Sequence, residues 1–466
     1  MKETVMQGKP YAGNPHVRFD EGAGASRHSG RSALLYNRRE FLYGGIAMLG
    51  VGAAGRAAAD AMARHPLARK SLPKWEKGHF RISMIYTGAS ESSFLVFPDG
   101  TSMLIDCGDC GYAKPGDAKA ARLRLPPLPD ALRRAGEWIA RYVLRENPFG
   151  RKVDYFMLSH YHYDHSGCVR FSAGRSANGK YTLSGFGQAL DFLDFGTIID
   201  RAWPDMDDPV PRPDAFMSGT GAVKLIKEVY AEAERRGTKI EKFRLEKGSR
   251  QIALRHGGCE GFSVRPLCSC GRILRRDGSI LDLATLGKRN TVGNENTLSV
   301  GLVLSVGDFR YYTAGDFWGH AIGEGRKKIN FEDVLAAECP QVDVAKANHH
   351  AHSTMPPALV KALHARVVLG SVWHVRQSMR STMRSLHTAD WPYLYVPGHF
   401  PRIRREEDAS EAWLGRVAPE SFVGAHSVID VAPGGRTYRL MLVDARDERG
   451  TVLGAYDFTT AKKESL

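Results

Sequence analysis

Apolar residues recur along this chain with two periods. Runs at 81–86, 93–97 and 101–106 read as strands, and Pro98, Asp99 and Gly100 turn the second into the third. Between Asp130 and Leu144 the period lengthens. Leu132, Ala135, Trp138, Ile139, Tyr142 and Val143 fall at helical spacing, which predicts a helix over this opening meander. A continuous apolar run from Val153 to Ser159 then predicts a buried strand. Later come a helix at 222–236, a hairpin of 299–306 and 309–316 around Gly307 and Asp308, and a strand at 342–347. Val428–Val431 and Tyr438–Val443 predict a closing hairpin. Strands that alternate with helices in this order place the chain in the α/β class.

These elements predict one domain over residues 75–445. Its interior holds a long excursion, 171–249, with Gly- and Ser-rich pieces and an acidic, proline-rich stretch from Trp203 to Pro213. This excursion is expected to form a cover over a site. Beyond 445 the pattern weakens, and 446–466 reads as a C-terminal tail.

Composition adds bounds. With 466 residues, 43% of them hydrophobic and 9% aromatic, the chain can bury a sizeable core, which excludes a disordered protein. Residues 1–63 stand apart. Asn37, Arg38, Arg39, Glu40, Phe41 and Leu42 lead into a Gly/Ala-rich apolar run at Tyr43–Ala54 that is too short for a permanent membrane span. This order resembles a twin-arginine export signal, with small residues for cleavage at Ala57–Ala59 and Ala61–Ala63. The resemblance implies a periplasmic or secreted mature protein.

The formal net charge is +14, and residues 1–59 hold only 8 Lys+Arg against 4 Asp+Glu, so most of the excess lies beyond them. A basic surface favours anionic substrates, small or polymeric. Nucleic acid is a secondary expectation, because the basic runs at Arg272–Arg276 and Arg402–Arg405 lack the interleaved aromatics of single-strand binders. Seven cysteines form an odd set without zinc-finger spacing, and Cys107 and Cys110 are either a disulfide or two buried thiols.

The chemistry concentrates after the strand at 153–159. His160, His162, Asp164 and His165 place four metal-ligating side chains within six residues, a donor set suited to Zn²⁺ or a similar divalent ion. Two later strand ends deliver Asp316 and the pair His349 and His350. Asp106, at the end of the third strand, is expected to brace the metal loop.

Taken together, Leu104–Asp106, the H-x-H-x-D-H motif at His160–His165, Asn294–Ser299, Gly315–Asp316 and His349–His350 resemble the metallo-β-lactamase superfamily. The closer likeness is to its branch with the ComEC-like hydrolase domain of DNA-uptake proteins and the choline-phosphate esterases, over about residues 80–375. The resemblance implies an αββα four-layer sandwich with one or two ions at one edge, Zn²⁺ or alternatively Mn²⁺. It implies His160, His162, Asp164, His165 and Asp316 as ligands, with His349 favoured over His350 as the last.

The implied reaction is hydrolysis by a hydroxide held on the metal, most readily of a phosphodiester. Asp164 would orient the water, and His350, His352 or His374 would serve as the acid. A β-lactam or lactone hydrolase and a non-catalytic metal-binding envelope protein are the alternatives. Many relatives carry a further histidine beside His160 and His162. Here only His256, Cys268 and Cys270 offer themselves for that place.

Overall fold

The computed structural model describes residues 65–112, 122–209 and 220–461. The twin-arginine run, the apolar segment after it and Pro211–Pro213 of the proline-rich stretch lie outside these residues. The first six strands are β1 (Phe80–Met84), β2 (Ser93–Val96), β3 (Ser102–Ile105), β4 (Lys152–Leu158), β5 (Asp194–Asp200) and β6 (Lys239–Lys242). Next come β7 (Phe262–Ser269), β8 (Arg272–Leu274), β9 (Ile280–Asp282), β10 (Arg289–Asn290), β11 (Gly301–Val306), β12 (Phe309–Thr313), β13 (His320–Ile322) and β14 (Lys328–Asn330). The last are β15 (Val344–Lys346), β16 (Val367–Leu369), β17 (Leu394–Val396), β18 (Ala425–Val431), β19 (Thr437–Asp444) and β20 (Val452–Thr459).

They form a mixed α/β structure with three sheets. A nine-stranded sheet runs β20-β19-β18-β1-β2-β3-β4-β5-β6, an eight-stranded sheet runs β17-β16-β15-β12-β11-β7-β8-β9, and β10-β13-β14 make a small third sheet. The principal helices are α1 (Ala135–Glu146), α2 (Ala222–Arg235), α3 (Phe331–Ala336), α4 (Pro357–Leu363) and α5 (Arg380–Leu386).

Burial follows the strand period of two. Met103 and Ile105 join an apolar cluster with Leu302, Leu304 and Val344 of the other large sheet. Leu104, between them, packs instead with Ile139 and Val143 of α1 and Ile226 and Val229 of α2. The eight-stranded sheet behaves alike: Val303 turns away from Leu302 and Leu304 to pack with Leu335, Leu359 and Met383 of α3, α4 and α5. Helix α1 buries Ala135, Trp138, Ile139, Tyr142 and Val143, one face at helical spacing. Each large apolar side chain so buried contributes about 1.5–3 kcal/mol.

Two expectations change. The excursion at 171–249 is more than a cover, because β5 and β6 extend the nine-stranded sheet in parallel beside β4. The stretch read as a tail from 446 supplies β20, which pairs antiparallel with β19 from Val443↔Val452 to Thr437↔Thr459. Among the described residues no helix is long and apolar enough to cross a membrane.

Candidate metal centre

Three strand ends and one loop meet at one point. β3 ends at Asp106, whose φ of 59° is left-handed, and β4 ends at Ser159. The Ser159 amide and hydroxyl both donate to Asp106, at 2.7 Å each, so the two strand ends are tied together. The same carboxylate lies 2.7 Å from His165 Nδ1. That contact holds the proton on Nδ1 and leaves Nε2 with its lone pair, the arrangement that ligating histidines usually show.

The hexapeptide is anchored from a second side. Arg201 at the end of β5 pairs bidentately with Glu295, at 2.9 Å on each arm, and both are buried. Glu295 also accepts the Tyr161 amide at 2.8 Å, and the Arg201 guanidinium lies 3.9 Å from the centre of the Tyr161 ring. Tyr161 donates to Asp200 at 2.6 Å. With Tyr161 fixed and pointing away, its neighbours His160 and His162 are directed to the opposite side.

The loop after β15 strains to reach the same point. His349, His350 and Ala351 have φ of 45°, 54° and 58°, three successive left-handed residues, each costing about 1–2 kcal/mol. Several bonds hold them there. Glu332 accepts from Asn348 Nδ2 and the Met355 amide, both at 2.9 Å, and Thr354 Oγ1 donates to the Asn348 carbonyl at 2.7 Å. Strain held by surrounding structure is characteristic of functional loops.

This backbone turns His350, not His349, into the cluster. His350 Nδ1 lies 2.7 Å from the Ser371 carbonyl, to which it donates, and Nε2 lies 3.0 Å from Asp164 Oδ2 and 3.1 Å from Asp316 Oδ2. His349 Nε2 is 3.2 Å from Asn296 Nδ2, and its Nδ1 is 3.2 Å from the His352 carbonyl. Both of its nitrogens are thereby engaged. The expectation that His349 is the last ligand is corrected in favour of His350. The Nε2 of His350, the residue also expected as the acid, faces Asp164 and Asp316.

Two donor sets result. Glu91, His165, Asp316 and His350 offer ligand atoms within 4.8 Å of one another, and so do His160, His162 and Asp316. Asp164 borders the first set through His350 and accepts from Trp373 Nε1 at 3.1 Å. Asp316 belongs to both sets. Its Oδ2 lies 3.2 Å from His165 Nε2 and 3.9 Å from His160 Nε2.

The chemistry of these atoms fits a metal. His165 Nε2, His350 Nε2 and Asp316 Oδ1 are buried and make no hydrogen bond, although the imidazole nitrogens lie close to carboxylate oxygens. Converging lone pairs without hydrogen-bond geometry are the pattern of a ligand set rather than of a polar network. His160 Nε2 and His162 Nδ1, by contrast, are hydrogen-bonded to each other at 3.0 Å.

Charge points to the same need. Glu91, Asp106, Asp164 and Asp316 are buried carboxylates, and Lys346 is the buried ammonium among them. Lys346 Nζ is 2.8 Å from Glu91 Oε1 and 3.8 Å from Asp316 Oδ1. Burial pulls the His350 pKa down, but Asp316, Asp164 and Glu91 outweigh it and push it up to about 10. Burial raises the Asp316 pKa, yet His350 and His165 hold it well below the usual carboxylate range. The excess negative charge must be met by protons or by metal cations, and divalent ions meet it without protonating the ligands.

None of the residues considered for a further ligand beside His160 and His162 joins them. His256 Nε2 is 3.0 Å from Asp154 on a part-exposed surface, Cys268 Sγ is 3.7 Å from the Ser299 carbonyl, and Cys270 Sγ is 3.1 Å from the Arg201 carbonyl. Burial raises the pKa of both thiols. Cys107 and Cys110 are free and buried.

Two members of the centre escaped the sequence reading. Glu91 is a lone acid between two fully buried strands, and Lys346 a lone base in the apolar run 342–347. For Lys346, an isolated charge in a buried strand is a sequence signal, whereas Glu91 lies in a loop and carries none. No family model matches this chain, and no curated protein matches it either.

Proposed function

We propose that the protein is an exported, metal-dependent hydrolase of the metallo-β-lactamase superfamily that cleaves phosphoesters, phosphodiesters above all. The observation that carries this reading is the pair of donor sets sharing Asp316, whose Oδ2 is turned toward both His165 and His160. The alternate packing of both large sheets against each other and against helices supports the αββα layering of that superfamily. Export rests on the twin-arginine run near the N-terminus.

Bound Zn²⁺ or Mn²⁺ supplies Lewis acidity and lowers the pKa of water at the site. His165, Asp316 and His350 would hold one ion, with Asp164 beside His350 taking the place of Glu91, which pairs with Lys346, and His160, His162 and Asp316 would hold the other. Around them the chain's own residues set the geometry. Asp106 orients His165, Ser371 orients His350, and the Lys346–Glu91 pair neutralises itself while facing Asp316. Trp373 fixes the Asp164 carboxylate, and Arg124 lies 4.6 Å over the Trp373 ring, a cation at the rim suited to an anionic ester.

Purified protein loaded with Zn²⁺ or Mn²⁺ is expected to hydrolyse bis-p-nitrophenyl phosphate and to leave nitrocefin and simple lactones untouched. Asp164→Ala and His160→Ala should abolish the activity. Equal rates in variant and wild type, or turnover of nitrocefin alone, would exclude the phosphoesterase reading.

A further inference from the structure

Glu91 brings a carboxylate to the centre and turns it to an ammonium. Its backbone is fixed beside the metal loop, the Glu91 amide donating to the Asp164 carbonyl at 2.8 Å. Its Oε1 lies 2.8 Å from Lys346 Nζ. Its Oε2 is buried without a hydrogen bond, although His350 Nδ1 is 3.2 Å away, because that nitrogen donates to the Ser371 carbonyl. A carboxylate so placed has lone pairs for a cation, and the cation beside it is Lys346.

Lys346 has no route away. It ends β15, which pairs on one side with β12 and on the other with β16, and its side chain is 1% exposed. One N–H faces Glu91 and another donates to the Gly315 carbonyl at 2.5 Å, which leaves the third for the side of Asp316 Oδ1, 3.8 Å from Nζ. Asp316 is thereby divided. Its Oδ1 looks to the ammonium, while Oδ2 lies 3.1 Å from His350 Nε2, 3.2 Å from His165 Nε2 and 3.9 Å from His160 Nε2.

An ammonium against Glu91 repels a divalent ion that approaches the same oxygens, and burial keeps it from swinging out to water. The donors left are four imidazoles, of His160, His162, His165 and His350, with two carboxylates, of Asp164 and Asp316. A set rich in imidazole suits Zn²⁺, whereas a third carboxylate would shift it toward the oxygen ligands that suit Mn²⁺.

We propose that Lys346 sets the metal preference of the centre: by holding Glu91 out of the ligand set it keeps the donors rich in imidazole and selects Zn²⁺ over Mn²⁺. The proposal rests on the metal-hydrolase reading and narrows the ion in it. Lys346 is a positioning residue, acting through Glu91 and Asp316.

The test uses the full chain, stripped of metal by a chelator and titrated with each ion alone. Competition with a chromophoric chelator gives Kd for Zn²⁺, and the electron paramagnetic resonance signal of free Mn²⁺ gives Kd for Mn²⁺. Loss of one positive charge strengthens both divalent ions alike, so the ratio of the two constants reports the ligands. Lys346→Met releases Glu91, and its ratio of Kd for Mn²⁺ to Kd for Zn²⁺ is expected to fall about tenfold or more. Lys346→Met with Glu91→Gln lacks both charges and should return the ratio to within about threefold of wild type, with as many ions bound per chain.

An unchanged ratio in a folded Lys346→Met overturns the proposal. So does a double variant that loses an ion, since Glu91 would then be a ligand already, and so does a wild type that binds Mn²⁺ the more tightly. Should Lys346→Met not fold by circular dichroism, the double variant decides: wild-type ratio and stoichiometry support a withheld Glu91, and a lost ion overturns it. A wild type that binds neither ion overturns the proposal together with the metal centre. The expected ratios in a protein that cleaves no phosphoester would sink the hydrolase reading and leave the role of Lys346 standing.

Discussion

Lys346 Nζ lies 2.8 Å from Glu91 Oε1, and neither side chain exposes more than 3% of its surface. The pair links β15 to the loop between β1 and β2, and Lys346 also donates to the Gly315 carbonyl at 2.5 Å. Removing one partner strands a buried charge, whereas removing both does not. Lys346→Met is therefore expected to cost about 3–5 kcal/mol in urea unfolding. The double variant Lys346→Met with Glu91→Gln should regain a substantial part of that loss. A double variant as unstable as the sum of its singles would show that the two residues act independently.

The left-handed turn at 349–351 assigns different work to adjacent histidines. His350→Ala should lower bound metal by about one equivalent per chain. His349→Ala should retain the wild-type metal content, because its ring faces Asn296 and the His352 carbonyl. Metal analysis after exhaustive dialysis distinguishes them, and the reverse pattern would restore His349 as the ligand.

Gly108 packs so closely beneath the metal loop that a Cβ there would lie 1.7 Å from the Asp164 carbonyl oxygen and 2.0 Å from its carbon. Both neighbours are backbone atoms and cannot swing aside. Gly108→Ala is expected to displace Asp164 and His165 and weaken metal binding at least tenfold, about 1.4 kcal/mol or more. Chelator competition measures this, and far-UV circular dichroism should show the fold retained.

Burial pushes the Glu332 carboxyl from 4.5 up to about 8, against the bonds from the Met355 amide and Asn348. Between these values the unfolded chain has lost this proton while the folded one keeps it, so stability falls as pH rises from about 4.5 to 8 and is level above. Glu332→Gln cannot ionise and preserves the acceptor oxygen. Its melting temperature should match wild type near pH 4.5 and exceed it by several degrees at pH 8.5. A constant difference at every pH would show that Glu332 is not the group responsible.

Much of the molecule was legible where side chains alternate in period with their element. The opening meander, α1, β4, α2 and the β11–β12 hairpin all sit within a few residues of their expected places, because each buries one face and shows it in sequence. β6 escaped because Lys239–Lys242 is a charged strand at a sheet edge, covered on few sides and carrying no apolar rhythm. β20 escaped because Asp447, Glu448 and Arg449 before it read as a charged tail, although they form the connection to its pairing partner.

At the centre, the residue types pointed to His160, His162, His165 and Asp316, which the fold brings into the two donor sets, but the choice within His349–His350 depends on successive positive φ values that no residue pattern announces. Glu91 required knowing that the loop between β1 and β2 meets the end of β15.

One pairing also has a consequence in time. Phe80 in β1 pairs with Val431 in β18, 351 residues later in the chain. At about 5–20 residues per second of synthesis, β1 emerges roughly 20–70 s before its partner is made. One edge of β1 stays open through that interval, and an open edge invites pairing with other chains. Molecules interrupted before residue 425 keep Asp106, the hexapeptide, Asp316 and His350, yet their nine-stranded sheet ends at β1. Such fragments are expected to aggregate rather than accumulate as miniature versions of the protein, so production of this chain will favour slow translation at low temperature and high chaperone occupancy.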